Sequence, residues 1–149
     1  MPIEYRTGDL FAQPDLDALA HGCNCAGAMG AGIAVQFRKR WPEMYAQYVK
    51  LCAEGGFRLG DVFMWQPPDR SITVFNLATQ SHWKLPADLM AVQDSLREAI
   101  SCMAPGERLG IPWIGAGLGG LALEDVRRVF EDLAQATQVI MVVVELPVG

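Results

Sequence analysis

The chain has 149 residues, is 51% hydrophobic and 19% charged, and carries a net charge of −5. That balance belongs to a compact globular protein with one core, a single domain over residues 1–149, and excludes a disordered chain. An acidic protein has no general electrostatic pull on a phosphate backbone. General duplex binding is therefore not expected, whereas a local pocket for one anionic ligand is compatible with the charge.

The first residues, Met1-Pro2-Ile3-Glu4-Tyr5-Arg6, lack the basic-then-apolar pattern of a secretory signal, and the longest apolar run, Val139 to Val144, is strand-sized. A cytoplasmic, monomeric protein with no membrane association is the expectation. Cys23, Cys25, Cys52 and Cys102 do not have zinc-site spacing, and two histidines are too few for a histidine-built centre. The cysteines read as reduced small hydrophobes, and neither a metal nor a cofactor is expected.

In chain order, Ile3 to Arg6 is a short strand ending at the turn Thr7-Gly8-Asp9-Leu10-Phe11. Asp17 to Gly22 is the next strand, and it runs into a Gly-rich loop. Ile33, Phe37 and Trp41 then recur at helical spacing, with Arg38, Lys39 and Arg40 on the solvated faces. Pro42 stops that helix, and Met44, Tyr45, Tyr48, Val49 and Cys52 make a second one, ended by Gly55-Gly56. Leu59 to Trp65 and Ile72 to Leu77 read as strands joined by the turn Pro67-Pro68-Asp69-Arg70. A polar and aromatic loop, Ala78 to Pro86, leads to a helix from Pro86 whose Leu89, Val92, Leu96, Ile100 and Met103 share a face. Arg108 to Pro112 is a strand, followed by a second Gly-rich loop and a helix with Val126, Phe130 and Leu133 inward. Val139 to Leu146 closes the chain as a strand apolar on both parities, as a central strand covered on both faces should be.

The order ββααββαβαβ predicts a three-layer α/β/α sandwich on a mixed, mostly parallel sheet. Ligands in such sheets bind at the carboxyl ends of the strands. Both Gly-rich loops would sit there: His21-Gly22-Cys23-Asn24-Cys25-Ala26-Gly27-Ala28-Met29-Gly30-Ala31-Gly32-Ile33-Ala34 and Ile111-Pro112-Trp113-Ile114-Gly115-Ala116-Gly117-Leu118-Gly119-Gly120-Leu121. Glycines let the backbone approach an anion, and the N–H groups of a helix start point at it. The alternative is that each loop is only a tight strand–helix turn. The first lacks the Gly-x-x-x-x-Gly-Lys-Ser/Thr of a nucleoside triphosphatase. The second lies too near the C-terminus for a ribose-reading acid and further strands to follow it.

Few side chains carry chemistry. Asp9 is placed to accept from an exocyclic amine such as that of adenine, or is ordinary turn chemistry. Asn24 is suited to a sugar hydroxyl or a water, or it satisfies its own turn. Met29 is a candidate lid. His82 and Trp83 read as stacking groups for a sugar or base, with His82 the imidazole near the site, or as solvent-exposed residues. Trp113 reads as core. There is no Ser–His–Asp set, carboxylate pair or metal cluster, so any reaction must rest on positioning and a bound water.

Three motifs in order, Thr7-Gly8-Asp9-Leu10-Phe11, then His21 to Cys25 with Met29 to Ala34, then Ile114 to Leu121, make the sequence resemble the macrodomain family over nearly its whole length. The match is to the branch holding terminal ADP-ribose glycohydrolases, the yeast ADP-ribose-1″-phosphate phosphatase and a DNA ADP-ribosyl glycohydrolase antitoxin. The resemblance implies a pocket for ADP-ribose, free or on a protein or nucleic acid. Asp9 and the Leu10 backbone would hold adenine, and Asn24 would face the distal ribose. Ala28, Met29, Gly30, Ala31, Gly32 and Ile33 would wrap the phosphates and ribose. Gly115, Ala116, Gly117, Leu118 and Gly119 would close from the other side, with Thr79 beside them. In the glycohydrolase branch a Thr-Lys pair follows the strand that corresponds to Ile72–Leu77; here it reads Thr79-Gln80, and Gly119 stands where the protein-directed member has an acid. Asn24 and Gln80 are therefore the catalytic candidates. The function implied is ADP-ribose binding with hydrolysis of an ADP-ribosyl linkage or of ADP-ribose-1″-phosphate. The alternative is a non-catalytic reader.

Overall fold

The computed structural model describes residues 3–147. Its elements run β1 (Ile3–Thr7), β2 (Ala18–Asn24), α1 (Ile33–Arg40), α2 (Pro42–Ala53), β3 (Val62–Trp65), β4 (Thr73–Gln80), α3 (Leu89–Ser101), β5 (Arg108–Ile111), α4 (Leu123–Gln135) and β6 (Ile140–Glu145). This is the order and type read from the sequence. Two starts differ. The helix expected from Pro86 begins at Leu89, because the Asp88 carboxylate accepts from Ala91 N and caps it there. The strand expected from Leu59 begins at Val62, after a turn at Leu59-Gly60.

The sheet order is β1-β6-β5-β2-β4-β3. All neighbouring pairs are parallel except β3–β4, the hairpin at the edge. Strand residues alternate between two cores. On one face Met141 and Val143 of β6 join Ala18, Ala20, Phe75, Leu77 and residues of α3 and α4 such as Leu96 and Phe130. On the other, Val142 and Val144 join Leu19, Cys23, Val74 and Phe37, Met44 and Tyr48 of α1 and α2. Two helical layers on one sheet make the three-layer α/β/α sandwich, as apolar runs without polarity on either parity require.

The second core contains a polar device. His21 is fully buried and stacks on Phe37 with ring centroids 3.7 Å apart. Asn76 Nδ2 donates to Phe63 O at 3.1 Å, which turns Oδ1 toward His21 Nε2 at 2.6 Å. That arrangement assigns the proton of the neutral ring to Nε2. Burial pushes the His21 pKa down to about 4.

The topology places the site. β4, β2 and β5 are consecutive parallel strands, so the segments that leave their carboxyl ends, residues 81–88, 25–32 and 112–122, meet over one end of the sheet.

Candidate ligand-binding cleft

A cleft of about 600 Å³ lies between those three segments. Its floor is Gly22, Cys23, Asn24, Thr79 and Gln80 at the strand ends. One wall is Ala28, Gly30, Ala31, Gly32, Ile33 and Ala34. The other is Pro112, Trp113, Ile114, Gly115, Ala116 and Gly119, with Trp83 and Ala87 from the β4–α3 segment. No Asp, Glu, Lys, Arg or His is among these residues. A charged ligand would meet backbone N–H groups and the positive end of α1, not a side-chain counter-ion.

The glycines do separate jobs. A Cβ on Gly22 would lie 2.8 Å from Thr79 Oγ1 and 2.9 Å from Ile114 Cγ2, so only glycine lets β2, β4 and the β5 exit converge beneath the cleft. Gly32 caps α1 at φ 62° and ψ −148°, a conformation essentially restricted to glycine, which turns the loop into the helix. Gly30 has open space about it.

Asn24 is reached through a bulge. The β2–β4 register shifts between Cys23 and Asn24, so Asn24 pairs with Gln80, and its side chain turns into the loop. There Oδ1 accepts from Ala26 N at 3.0 Å and Ala28 N at 3.2 Å, with the Tyr48 hydroxyl 3.0 Å away, while Nδ2 donates to Ala28 O at 2.7 Å. The residue braces the loop. Of the uses open to Asn24, its Oδ1 serves the one of satisfying its own turn. One Nδ2 hydrogen remains for a ligand.

Gln80 Nε2 donates to Leu85 O, and its backbone oxygen accepts from Cys25 N at 2.8 Å. The carboxamide is held at the floor with Oε1 as an available acceptor. Thr79 is 3% exposed beside it. The second loop is tied in by Ala87 N to Gly119 O and Leu121 N to Gly115 O, both 2.8 Å.

Other expected residues fall elsewhere. Met29 is 1% exposed and packs in the α1–α2 core, so it is no lid; its apolar side chain gains more by burial beside Phe37 and Tyr48. Leu10 is likewise core. Asp9 is exposed at the carboxyl end of β1, where Oδ1 accepts from Phe11 N at 2.9 Å, and it is not a cleft wall. Gly117 lies outside the cleft lining, and the expectation for the Leu118 side chain lies outside the described residues. His82 is not a wall either: its Nδ1 accepts from Lys84 N at 3.1 Å. Trp113 is both a wall and a core residue, stacked on Phe130 with centroids 5.5 Å apart. Sequence reasoning missed Gly22 as floor and Tyr48 as the brace of Asn24, since neither carries a local signal.

Cys23 contributes to the floor, and burial holds its thiol well above the ordinary range. Burial also pushes Cys25 up to about 11. All four cysteines are free, and neither of these two is a ready nucleophile.

Comparison places this geometry among known proteins. A family profile described as Macro domain matches residues 20–130. The DNA ADP-ribosyl glycohydrolase of Mycobacterium tuberculosis is 35% identical over 130 residues, covering 85% of this chain and 37% of that protein. The human ADP-ribose glycohydrolase OARD1 is 34% identical, with 92% of this chain and 87% of that protein covered. Among solved structures, the macrodomain of M. tuberculosis DarG superposes with a TM-score of 0.87 at 32% identity, covering 98% of both chains. The chain spans 37% of the length of the mycobacterial relatives and 41% of the one from Thermus aquaticus.

Proposed function

Given that the chain belongs to the Macro domain family, we propose that it binds ADP-ribose in the cleft and hydrolyses an ADP-ribosyl linkage there. The observation that carries this is an uncharged cleft of about 600 Å³ walled by two Gly-rich loops and opened by the start of α1. That surface suits a diphosphate, whose charge is met by backbone N–H groups. In this reading adenine lies toward Asp9 at the end of β1, the diphosphate between the loops after β5 and β2, and the distal ribose toward Gln80 at the end of β4, a course supported by the order of those strands in the sheet.

For hydrolysis, a water attacks the anomeric carbon of the distal ribose. The bond from that carbon to the acceptor breaks, and the water's proton ends on the acceptor. Gln80 Oε1 accepts from the water or a ribose hydroxyl, and the remaining Asn24 N–H donates to the ribose. A carboxamide takes no proton, so the contribution is positioning, together with charge stabilisation by the loops. Among relatives, the printed activities are DNA ADP-ribosyl glycohydrolase, ADP-ribose glycohydrolase and ADP-ribose 1″-phosphate phosphatase. The DNA-directed relatives combine 35% identity with 85% of this chain, and the macrodomain of one of them superposes with a TM-score of 0.87, which supports an ADP-ribosylated nucleic acid as substrate. A monomeric state and a cytoplasmic location are part of the same reading, the location supported by four free cysteines; no helix among the described residues is long and apolar enough to cross a membrane.

One observation favours the reader alternative. Among the described residues, no titratable side chain apart from the buried Cys23 thiol lines the cleft. The deciding experiment is calorimetric titration with ADP-ribose. Release assays then follow on ADP-ribosylated protein, ADP-ribosylated single-stranded DNA and ADP-ribose-1″-phosphate. Binding with release is expected. Binding without release on all three makes the chain a reader, and no binding removes the proposal.

A further inference from the structure

Resting on that reading, we infer that Trp83, seated on His82, is the residue that recognises the acceptor, and that the acceptor it selects is a nucleobase. The position follows from topology. If ADP-ribose runs from the end of β1 toward the end of β4, whatever is attached to the distal ribose leaves the cleft past β4, over the segment that follows Gln80. Trp83 is in that segment, lines the cleft and is 53% exposed, an unusual surface position for an indole.

The ring is a built platform. His82 lies beneath it with centroids 3.8 Å apart and planes 27° from parallel. The His82 ring is fixed in turn by Lys84 N donating to Nδ1, and its backbone oxygen accepts from Leu85 N at 3.0 Å. Gln80 Nε2 to Leu85 O and Ala87 N to Gly119 O tie the segment to the cleft floor and to the opposite wall. One aromatic face is thereby taken by His82 and the other is left to a ligand. A flat π-surface on a rigid support suits a purine or pyrimidine ring, and base–aromatic stacking tolerates any base because every base has a π-face. An aliphatic carboxylate acceptor gains nothing comparable there. Exposed Lys84 adds a positive charge for the neighbouring phosphate.

The test compares three ligands: a single-stranded oligonucleotide bearing ADP-ribose on one base, a peptide bearing ADP-ribose on a carboxylate, and free ADP-ribose. Trp83→Ala should weaken recognition of the oligonucleotide by about tenfold to a hundredfold relative to free ADP-ribose, read in Kd or in kcat/KM. Trp83→Phe should recover most of the loss, and the peptide should track free ADP-ribose in every variant. An equal loss on all three ligands, or none on the oligonucleotide, overturns the assignment of Trp83 and leaves the ADP-ribose reading intact. Absence of ADP-ribose binding by the unaltered protein overturns both.

Discussion

The phenol of Tyr48, on α2, holds Asn24 at the end of β2: Oη lies 2.6 Å from the Asn24 backbone oxygen and 3.0 Å from its Oδ1. Tyr48 is fully buried, so the strand end that floors the cleft is anchored to the helical layer behind it. Tyr48→Phe leaves a buried carbonyl unpaired, and a loss of about 1–3 kcal/mol in unfolding free energy is expected from urea denaturation. ADP-ribose affinity should fall with it, because the loop over Ala26 and Ala28 hangs from the same Asn24 oxygen. Stability lost with affinity untouched would separate the brace from the site.

Gly30→Glu tests the cleft without testing the fold. A Cβ there meets nothing within 4 Å, and Gly30 is not among the positive-φ glycines. The variant should melt within a few degrees of the parent in a thermal scan and fail to bind ADP-ribose, through bulk and like charge against the diphosphate. Gly117→Glu is the poorer experiment: φ is +66° there, so a non-glycine residue is strained before any ligand arrives.

Asp9→Asn examines the adenine end. Asparagine keeps an oxygen for Phe11 N and so keeps the turn, but it presents an N–H₂ in place of a carboxylate oxygen. Calorimetry should show ADP-ribose affinity reduced about tenfold to a hundredfold, as expected when a charged hydrogen-bond acceptor is lost. Unchanged affinity would show that adenine lies elsewhere.

Acid should destabilise the fold through His21. Its pKa falls from an ordinary 6.5 to about 4 on folding, mainly because burial disfavours the imidazolium, opposed by the hydrogen bond to Asn76. Between those values the unfolded chain binds the extra proton, so stability is full above about pH 6.5, declines as pH falls, and levels off below about pH 4. The loss across that window is of order 3 kcal/mol. Urea melts at pH 7 and pH 4.5 should show it in the parent and lack it in His21→Gln. Equal slopes in both would assign the acid sensitivity to other groups.

The sequence by itself determined the elements, their order and the end of the sheet where a ligand would lie. Those properties are local: the helical spacing of Ile33 and Phe37, Pro42 between two helices, the two-sided apolarity of Val139 to Val144, glycines at two strand exits. Only the tertiary structure decided which side chains face the cleft. Met29 and Gly30 are neighbours in one loop, yet one is core and the other is wall. Asn24 is spent on Tyr48, 24 residues away, and His21 is paired with Asn76, 55 residues away. Periodicity reports a residue's own surroundings along one element. A hydrogen-bond partner on another element is set by how layers pack, and a single bulge at Cys23–Asn24 is enough to turn a side chain from one use to another.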